Sequence, residues 1–318
     1  MHADNVDLPV TTPLRLLITG HSGFVGQALQ QWLPTSRWAG RVKLIVPTQR
    51  IDIRLRNEVH TWLAQAKPDG VLHLAAQSFV PASFDDPVTT FDVNLGGTLN
   101  LLQGLQAIDF NGRLLYVSSA DVYGAVPEAE LPVQEDRLPA PRNPYAASKA
   151  SAELLCQQWH YAHGLDVCIA RPFNHTGPGQ DSRFVLSRFA QRIAQIQEGR
   201  VDTEFLTGNL DVTRDFSDVR DVLDAYLELL FHGHAGAVYN VCSGVERRIG
   251  DVLHTMLTLA GVNARIQVDS ALLRPNEQTR MVGSYAKLNR HTGWQPQCRF
   301  EDTLAAMIAW WRDKESKI

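Results

Sequence analysis

A tyrosine and a lysine four residues apart are the first candidates for chemistry in this sequence. They are Tyr145 and Lys149, in the segment NPYAASKASAELL at residues 143–155. Residues i and i+4 of a helix lie on one face, so both side chains could reach the same bound molecule. Such pairs also occur as ordinary helix surface. The spacing alone therefore leaves catalysis and surface decoration equally open.

Electrostatics make the pair chemically reasonable. A free tyrosine has a pKa of about 10, and proton transfer at neutral pH requires a shift worth about 4 kcal/mol. A lysine cation at about 4 Å supplies about that much at an effective dielectric of about 20. Ser118 and Ser119 follow the apolar run LLYV, at the end of a predicted buried strand, where doubly wound folds bind ligands.

A glycine-rich segment near the beginning of the sequence predicts a phosphate-binding turn. LLITGHSGFVG, residues 16–26, follows a predicted strand and opens a helix, with glycines at Gly20, Gly23 and Gly26. Glycine allows the tight turn and the close approach of the backbone to a pyrophosphate, and the helix N-terminus favours negative charge. We interpret the segment as a dinucleotide site; a strand-to-helix turn without ligand is the alternative.

The end of the second predicted strand bears on the choice of cofactor. An acidic residue there holds a ribose 2′-hydroxyl, whereas an arginine accommodates a 2′-phosphate. The segment LIVPTQRIDIR offers Arg50 and no acid directly at the strand end, which favours NADP(H) and leaves NAD(H) possible. Asp52 is placed to meet the adenine or, alternatively, to cap a turn.

The hydrophobic pattern predicts an α/β fold. From Leu14 onward, short Val/Ile/Leu runs alternate with helical segments, which is typical of a doubly wound parallel (Rossmann) sheet buried on both faces. We assign residues 14–172 to a dinucleotide-binding domain, with part of 213–243 returning to it. Residues 173–212 and 244–318 are assigned to a smaller α/β substrate lobe. The segment RDFSDVRDVLDAYLELL is predicted to be an amphipathic helix.

Composition narrows the possible partners and location. The 318 residues carry 30 Lys+Arg and 34 Asp+Glu, a net charge of −4, with no basic stripe, so nucleic acid is not expected as a partner. The four cysteines are widely separated, without the spacing of a metal site. No apolar run is long enough to span a membrane, and the first residues lack a signal-peptide pattern. We expect a cytoplasmic protein that binds no metal.

Five ordered motifs of the first lobe resemble the extended short-chain dehydrogenase/reductase superfamily: TGHSGFVG, HLAAQSFVPASFDDP, VNLGGT, VSSADVYG and NPYAASK. The resemblance implies that Ser119 hydrogen-bonds the reacting sugar oxygen and that Tyr145 transfers the proton. It also implies that Lys149 holds the nicotinamide ribose and lowers the tyrosine pKa. The further cofactor contacts that it implies are Phe24, Val25, Ile53, Leu74, Ala75, Ala76, Gln77, Asn94 and Pro172.

The second lobe resembles the nucleotide-sugar branch, in particular its GDP-linked group, through ARPFNHTGPGQDSRFV, GNLDVTRDFSDVRDV, YNVCSG and RPNEQTR. From that resemblance we expect Asn174 near the diphosphate and Arg214 and Arg274 as phosphate clamps. Arginine suits phosphate because its planar fork forms bidentate, charge-assisted bonds. The remaining substrate contacts implied are Ser78, Val185 and Glu277, the last as a ribose acceptor.

Asp121 distinguishes between the reactions of this group. Dehydratases carry a glutamate at this position, two residues before the tyrosine of the YG pair, as the base for elimination. Aspartate is one methylene shorter, and a misplacement of about 1 Å costs about a hundredfold in rate. We therefore expect a reductase that transfers hydride to the C4 ketone of GDP-4-keto-6-deoxy-D-mannose, giving GDP-D-rhamnose.

Alternative functions and the oligomeric state remain to be considered. The rival enzymes are a 4,6-dehydratase and a 4-epimerase on a nucleotide sugar, which share every cofactor motif. A non-catalytic dinucleotide sensor would be expected to lose Tyr145. The predicted helices at residues 96–108 and 145–163 carry apolar residues around much of their circumference, and equivalent helices pair in relatives. We therefore expect a homodimer.

Overall fold

A computed structural model of the protein describes residues 12–272 and 278–317. Its strands are β1 (Leu14–Thr19), β2 (Val42–Ile45), β3 (Gly70–His73), β4 (Arg113–Val117), β5 (Asp166–Pro172), β6 (Asn174–Thr176), β7 (Glu204–Thr207), β8 (Thr213–Asp218), β9 (Val238–Val241), β10 (Glu246–Arg248) and β11 (Arg265–Val268). Its α-helices are α1 (Phe24–Trp32), α2 (Arg56–Ala66), α3 (Val80–Asp85), α4 (Pro87–Phe91), α5 (Gly97–Ala107), α6 (Pro144–His163), α7 (Val185–Gln197), α8 (Val219–His232), α9 (Ile249–Ala260), α10 (Ala286–Thr292) and α11 (Phe300–Glu315).

Six parallel strands form the main sheet, in the order β2-β1-β3-β4-β5-β9. The strand order reverses between β1 and β3, and in such sheets ligands bind at the carboxyl ends of the strands beside this point. The predicted doubly wound parallel sheet is thus confirmed. This sheet and the helices packed on it are called the first lobe below.

Both faces of the main sheet are covered, which explains the continuous apolar runs. Along β1, Leu16 and Ile18 pack into a cluster that includes Val222 of α8, whereas Leu17 packs with Leu101 of α5 on the opposite face. Side chains of a strand alternate between faces, so a strand buried on both sides must be apolar at every position. Helices α1 and α8 contact each other on one side, and α2 and α5 do so on the other.

The second lobe consists of two small sheets, β10-β8-β6 and β11-β7, together with α7, α9 and α11. Its apolar core brings together Phe189 of α7, Leu253 of α9 and Leu304 of α11. Helix α7 contacts both α9 and α11. This lobe lies beyond the carboxyl ends of β5 and β9, because β6 follows β5 after a single residue.

Two sequence interpretations differ from the structure. The segment predicted to be one helix from RDFSD onward begins as strand β8, and α8 starts only at Val219. Asp218 separates the two elements because its carboxylate accepts a hydrogen bond from the Arg220 amide and caps the helix. In addition, Leu288 of α10 packs in the first-lobe core, so residues after 244 are shared between the lobes.

Within the described ranges, no helix combines the length and the apolar character needed to cross a membrane.

Candidate active site

The glycine segment forms a tight turn between β1 and α1. Gly20 has a φ of +70°, and a Cβ atom there would lie 2.7 Å from the Ala75 amide nitrogen. A Cβ on Gly26 would lie 2.6 Å from the Gly20 carbonyl oxygen, so the helix approaches the turn as closely as glycine allows. Gly23 caps α1 without a side chain. The helix N-terminus is therefore open to an anionic group, and the segment fits a pyrophosphate.

Helix α6 carries the predicted catalytic pair. It begins after Asn143, whose side-chain oxygen accepts a hydrogen bond of 2.7 Å from the Ala146 amide, and Pro144 occupies its first position. Tyr145 is 8% exposed and Lys149 is 3% exposed, although the helix lies at the protein surface elsewhere. Both residues line one cavity, so the pair is not part of the exposed surface of the helix.

The electrostatic state of Tyr145 differs from the sequence-based expectation. Burial and then the charge of Asp121 raise its pKa above the ordinary tyrosine value, and the Ser119 hydroxyl acts in the opposite direction. Burial and Asp121 together outweigh the Ser119 hydroxyl, so the direction of the shift is opposite to the lowering expected from Lys149. The phenol is consequently protonated at neutral pH, which suits a proton donor.

Lys149 is buried beside aromatic rings rather than paired with a carboxylate. Burial lowers its pKa to about 8, while Cys156 and Glu153 act against this shift. Its ammonium nitrogen lies 4.9 Å from the centroid of the Tyr116 ring, a distance suited to a cation–π contact. The Lys149 ammonium group is therefore positively charged below about pH 8, and no ion pair with a carboxylate of the described residues balances its charge.

A short 3₁₀ turn after β4, Ala120–Tyr123, presents Ser119 and Asp121. The Ser119 hydroxyl accepts a hydrogen bond of 3.1 Å from the Asp121 amide, which fixes both residues at the mouth of the turn. Tyr123 anchors the turn, because its hydroxyl donates to the Asn240 side chain over 2.7 Å and Arg171 lies 4.7 Å from its ring centroid. The turn thus has little freedom to move relative to the sheet.

A cavity of about 770 Å³ runs from the glycine turn to the second lobe. Most of the predicted site residues line it, namely Gly20, Gly23, Phe24, Val25, Gly26, Leu74, Ala76, Ser78, Ser119, Asp121, Tyr145, Lys149, Pro172, Asn174, Val185 and Arg214. Residues of the glycine turn and of β4 form its first-lobe end. Residues of β6, α7, β7 and β8 form its second-lobe end. The predicted cofactor contacts and the predicted substrate contacts therefore line the same cavity.

Some of the predicted cofactor contacts lie outside the cavity lining, and their hydrogen bonds hold the loop after β3. The Asn94 side chain is 1% exposed; it accepts from the Gln77 amide and donates to the Gln77 carbonyl and to Ser148. The Ala75 amide donates to Thr19. Asn94, Gln77 and Ala75 therefore hold the loop after β3 in place, and neither they nor Ile53 belong to the cavity lining.

The loop after β2 also lies outside the cavity lining. Asp52 accepts hydrogen bonds from the amide and the guanidinium of Arg54, the arrangement expected of a turn cap. This ion pair and, to a smaller extent, the charge of Arg50 lower the Asp52 pKa. Arg50 is exposed. The structure therefore favours the cap interpretation of Asp52, and it places two arginines in the loop where one was predicted.

The second-lobe end contains the predicted diphosphate contacts. Arg214 on β8 lines the cavity, and its guanidinium donates to the Thr213 carbonyl over 2.7 Å. Asn174 begins β6 and also lines it. The predicted contacts Arg274 and Glu277 lie outside the described residues. The basic side chains at this end suit a ligand with a diphosphate.

Sequence reasoning missed several lining residues. Phe79 and Phe184 meet edge to face with ring centroids 6.2 Å apart, and the Arg183 guanidinium lies 5.0 Å from the Phe79 centroid. His175 and Tyr226 line the cavity as well. The motif containing Asn174 pointed to its neighbour His175. No sequence signal marked Tyr226, which lies in the predicted amphipathic helix, four residues after the end of the motif GNLDVTRDFSDVRDV.

Comparisons with known proteins agree with this geometry. The family model described as GDP-mannose 4,6 dehydratase matches residues 17–307. The chain is 47% identical over 302 residues to a GDP-6-deoxy-D-mannose reductase of Pseudomonas aeruginosa, covering 94% of this chain and 98% of that protein. It is 30% identical to GDP-mannose 4,6 dehydratase 1 of Arabidopsis thaliana, covering 81% and 72%. The structure of RMD from Pseudomonas aeruginosa complexed with NADPH has a TM-score of 0.90 and 46% identity, covering 95% of this chain and 99% of that one.

Proposed function

The chain belongs to the GDP-mannose 4,6 dehydratase family, and from that membership we propose that it is a reductase acting on GDP-4-keto-6-deoxy-D-mannose. The reaction reduces the C4 ketone and gives GDP-D-rhamnose, a glycan precursor. The observation that carries the proposal is that Ser119, Tyr145 and Lys149 line one cavity, which runs from the glycine turn to Arg214 in the second lobe, with Tyr145 a phenol whose raised pKa keeps it a proton donor. A reductase needs such a proton donor, because the ketone oxygen becomes an alkoxide as hydride arrives at C4.

The residues of the chain supply binding, orientation and the proton. The reduced nicotinamide, when bound, supplies the hydride. Tyr145 gives its proton to the oxygen on C4, and the Ser119 hydroxyl donates a hydrogen bond to the same oxygen. The buried Lys149 cation holds the nicotinamide ribose and stabilises the phenolate that proton transfer leaves behind. The sugar thus gains one hydride and one proton.

Asp121 supports reduction over the alternative, a 4,6-dehydratase. Asp121 lines the cavity beside Tyr145 and raises the pKa of that phenol. Elimination requires a carboxylate that reaches the proton on C5, and the aspartate side chain is one methylene shorter than the glutamate of dehydratases. An elimination base displaced by about 1 Å loses about a hundredfold in rate. A 4-epimerase would bind its nucleotide cofactor persistently, whereas a reductase exchanges it at every turnover.

For the cofactor we propose NADPH in preference to NADH. The loop after β2 carries Arg50 and Arg54. Its acidic residue, Asp52, forms an ion pair with Arg54. These arginines suit a 2′-phosphate. The similar Pseudomonas aeruginosa structure contains NADPH.

We assign the GDP moiety to the second-lobe end of the cavity. Arg214 would clamp the diphosphate, with Asn174 beside it and Val185, at the start of α7, against the nucleoside. Arg274 and Glu277 are proposed as further contacts on sequence grounds alone. Ser78, on the loop after β3, would contact the hexose near Ser119.

We also propose that the protein is a cytoplasmic homodimer. Leu154 and Tyr161, seven residues apart on one face of α6, are 67% and 81% exposed. Large apolar side chains on one exposed helix face are typical of a subunit interface. All four cysteines are free thiols, as in a reducing compartment. If the wild-type protein sediments as a monomer at micromolar concentration, the dimer proposal is wrong. The Leu154→Glu variant is expected to sediment as a monomer.

The direct test of function supplies the 4-keto intermediate. A separate GDP-mannose dehydratase produces it, and this protein is added with NADPH or NADH while absorbance at the nicotinamide band and the sugar product are followed. We expect stoichiometric oxidation of NADPH and formation of GDP-D-rhamnose. No oxidation of either nucleotide, with turnover of GDP-mannose itself instead, would overturn the reductase assignment in favour of the dehydratase.

A further inference from the structure

Two buried hydroxyl groups among the described lining residues have no hydrogen-bond partner and no part in the proposed reaction, those of Ser118 and Tyr226. The larger side chain, Tyr226, is 1% exposed and lines the cavity from α8. The Tyr226 hydroxyl has no hydrogen-bond partner among the residues that the structure describes. A buried hydroxyl without a partner destabilises a fold, because the group has lost its hydrogen bonds to water. A tyrosine retained under that penalty suggests that a ligand supplies the partner.

The surroundings of Tyr226 locate it at the first-lobe end of the cavity. Tyr226 shares an apolar cluster with Phe24 of the glycine turn and Val117 of β4, and both of these also line the cavity. Burial, and to a smaller extent the charge that Tyr145 would carry as a phenolate, raise the pKa of Tyr226, and both tyrosines line the same cavity. Arg214 and Asn174, the proposed diphosphate contacts, lie on β8 and β6 of the second lobe.

A nicotinamide ring fits these surroundings. It must lie within reach of Tyr145, because hydride and proton arrive at adjacent atoms of the same carbonyl group. The faces of the ring are apolar and suit Phe24, Val117 and Pro172. Its polar substituent is the carboxamide, which offers one oxygen acceptor and two N–H donors. A tyrosine hydroxyl both donates and accepts, so either orientation of the carboxamide satisfies it.

We propose that Tyr226 is a positioning residue whose hydroxyl hydrogen-bonds the carboxamide of the bound nicotinamide. The inference rests on the proposed function, in that it requires a nicotinamide cofactor in this cavity. The bond would fix the rotation of the ring and direct its reactive face toward the sugar. Tyr226 would touch no reacting atom.

The test compares two ligands that differ only in the nicotinamide. NADPH and 2′-phospho-ADP-ribose are titrated by calorimetry into the wild-type protein, Tyr226→Phe and the control Tyr239→Phe. Tyr239 is 0% exposed in the same apolar cluster but lies outside the cavity lining; its hydroxyl accepts from the His234 amide over 2.9 Å and pairs with His291 over 2.8 Å. The control thus removes a buried tyrosine hydroxyl that already has protein partners.

We expect Tyr226→Phe to raise the Kd of NADPH about five- to tenfold, the effect of one lost hydrogen bond. In the same variant the Kd of 2′-phospho-ADP-ribose should stay within about twofold of the wild-type value. In Tyr239→Phe the Kd values of both ligands should stay within about twofold of the wild-type values. In thermal unfolding without added nucleotide, Tyr226→Phe should melt no lower than the wild type, because it removes an unpaired group. Tyr239→Phe should melt lower, because it leaves its partners unpaired.

Two results would overturn the inference. The first is an unchanged Kd for NADPH in Tyr226→Phe; a raised KM for the ketosugar in the same variant would then indicate that the hydroxyl contacts the substrate. The second is equal weakening of both ligands, which would indicate a structural role. If the wild type binds neither NADPH nor NADH, the proposed function itself fails. If it binds NADH alone, the same comparison is made with NADH and ADP-ribose.

Discussion

The first-lobe end of the cavity is formed by the carboxyl ends of neighbouring parallel strands, whereas the second-lobe end combines segments that lie far apart in the sequence. Gly20, Leu74 and Ser119 follow β1, β3 and β4, which are adjacent in the main sheet. The second-lobe end takes residues from β6, α7, β7, β8 and the start of α9. One end is defined by a single sheet and the other by the packing of several elements.

This difference assigns separate tasks to the two ends. The first-lobe end surrounds Tyr145 and Lys149 with buried, tightly packed backbone, so a substitution there should affect the reacting groups or the cofactor. The second-lobe end presents arginine side chains from a lobe with its own core, so a substitution there should affect the affinity for the nucleotide sugar. Kinetic constants measured separately for the two ligands should therefore distinguish the ends.

Replacing the proton donor should have the largest effect. Tyr145→Phe keeps the ring and removes the hydroxyl, so kcat should fall about 10²- to 10⁴-fold while the Kd of NADPH stays within about threefold. Steady-state kinetics with the 4-ketosugar and calorimetry with NADPH check the two parts. Tyr239→Phe is the matched control, since Tyr239 is also buried but lies outside the cavity lining. A Tyr145→Phe variant with wild-type kcat would refute the role of this residue as the acid.

Removing a charge at the other end should change a different constant. Arg214→Met is expected to raise the KM for the ketosugar about 10- to 100-fold, the loss of a charge-assisted contact to phosphate, without changing the Kd of NADPH. Arg247→Met is the control, because Arg247 pairs with Arg214 across the β8–β10 ladder but lies outside the cavity lining. Weaker NADPH binding in Arg214→Met would mean that the two ends are not separate.

The same difference explains what could be predicted from sequence. Continuous apolar runs and the strand-glycine-helix order are local features, and they predicted the parallel sheet and the turn at Gly20 correctly. The boundary between RDFSD and α8 was missed because the apolar spacing continues through it. The pairing of β8 with β6 and β10 and the capping hydrogen bond of Asp218, which a helical periodicity does not reveal, separate strand from helix.

For the site, sequence reasoning identified side-chain chemistry better than environment. Tyr145, Lys149 and Ser119 line one cavity as expected, but the direction of the Tyr145 pKa shift was wrong because burial depends on packing from distant segments. Asn94 was expected to contact the cofactor; its side chain is hydrogen-bonded to Gln77 in the loop after β3 and lies outside the cavity lining. Tyr226 was missed because its location depends on how α8 packs against the sheet.

A smaller effect is expected from crowding the glycine turn. In Gly20→Ala the new Cβ atom would lie 2.7 Å from the Ala75 amide nitrogen, so the turn must shift where the pyrophosphate binds. We expect the Kd of NADPH to rise about 10- to 30-fold, equivalent to about 1.5–2 kcal/mol, with the KM for the ketosugar little changed. Gly40→Ala is the control, because Gly40 has a φ of +77° but nothing within 4 Å of its Cβ position. It should lower the melting temperature without affecting NADPH binding, and equal binding losses in both variants would contradict the close-approach explanation.

The smallest effect near neutral pH should come from the titration of Lys149. Burial lowers its pKa to about 8, so the ammonium that holds the ribose is lost as pH rises through that value. The profile of kcat/KM for NADPH reports the free enzyme, and it should be flat below this pH, fall by about half at the pKa and continue downward above it. Tyr145 has a raised pKa and remains protonated over this range, so Lys149 titrates first.

Stability should move in the opposite direction. Above the folded-state pKa of about 8 the unfolded lysine, with its ordinary pKa of 10.5, binds more protons than the folded one. The contribution of Lys149 to the free energy of unfolding therefore rises with pH between these two values, so lost activity there is not lost structure. Lys149→Met should have a low, pH-independent kcat/KM across the same range. A wild-type profile that stays flat to about pH 10 would show that Lys149 keeps an ordinary pKa.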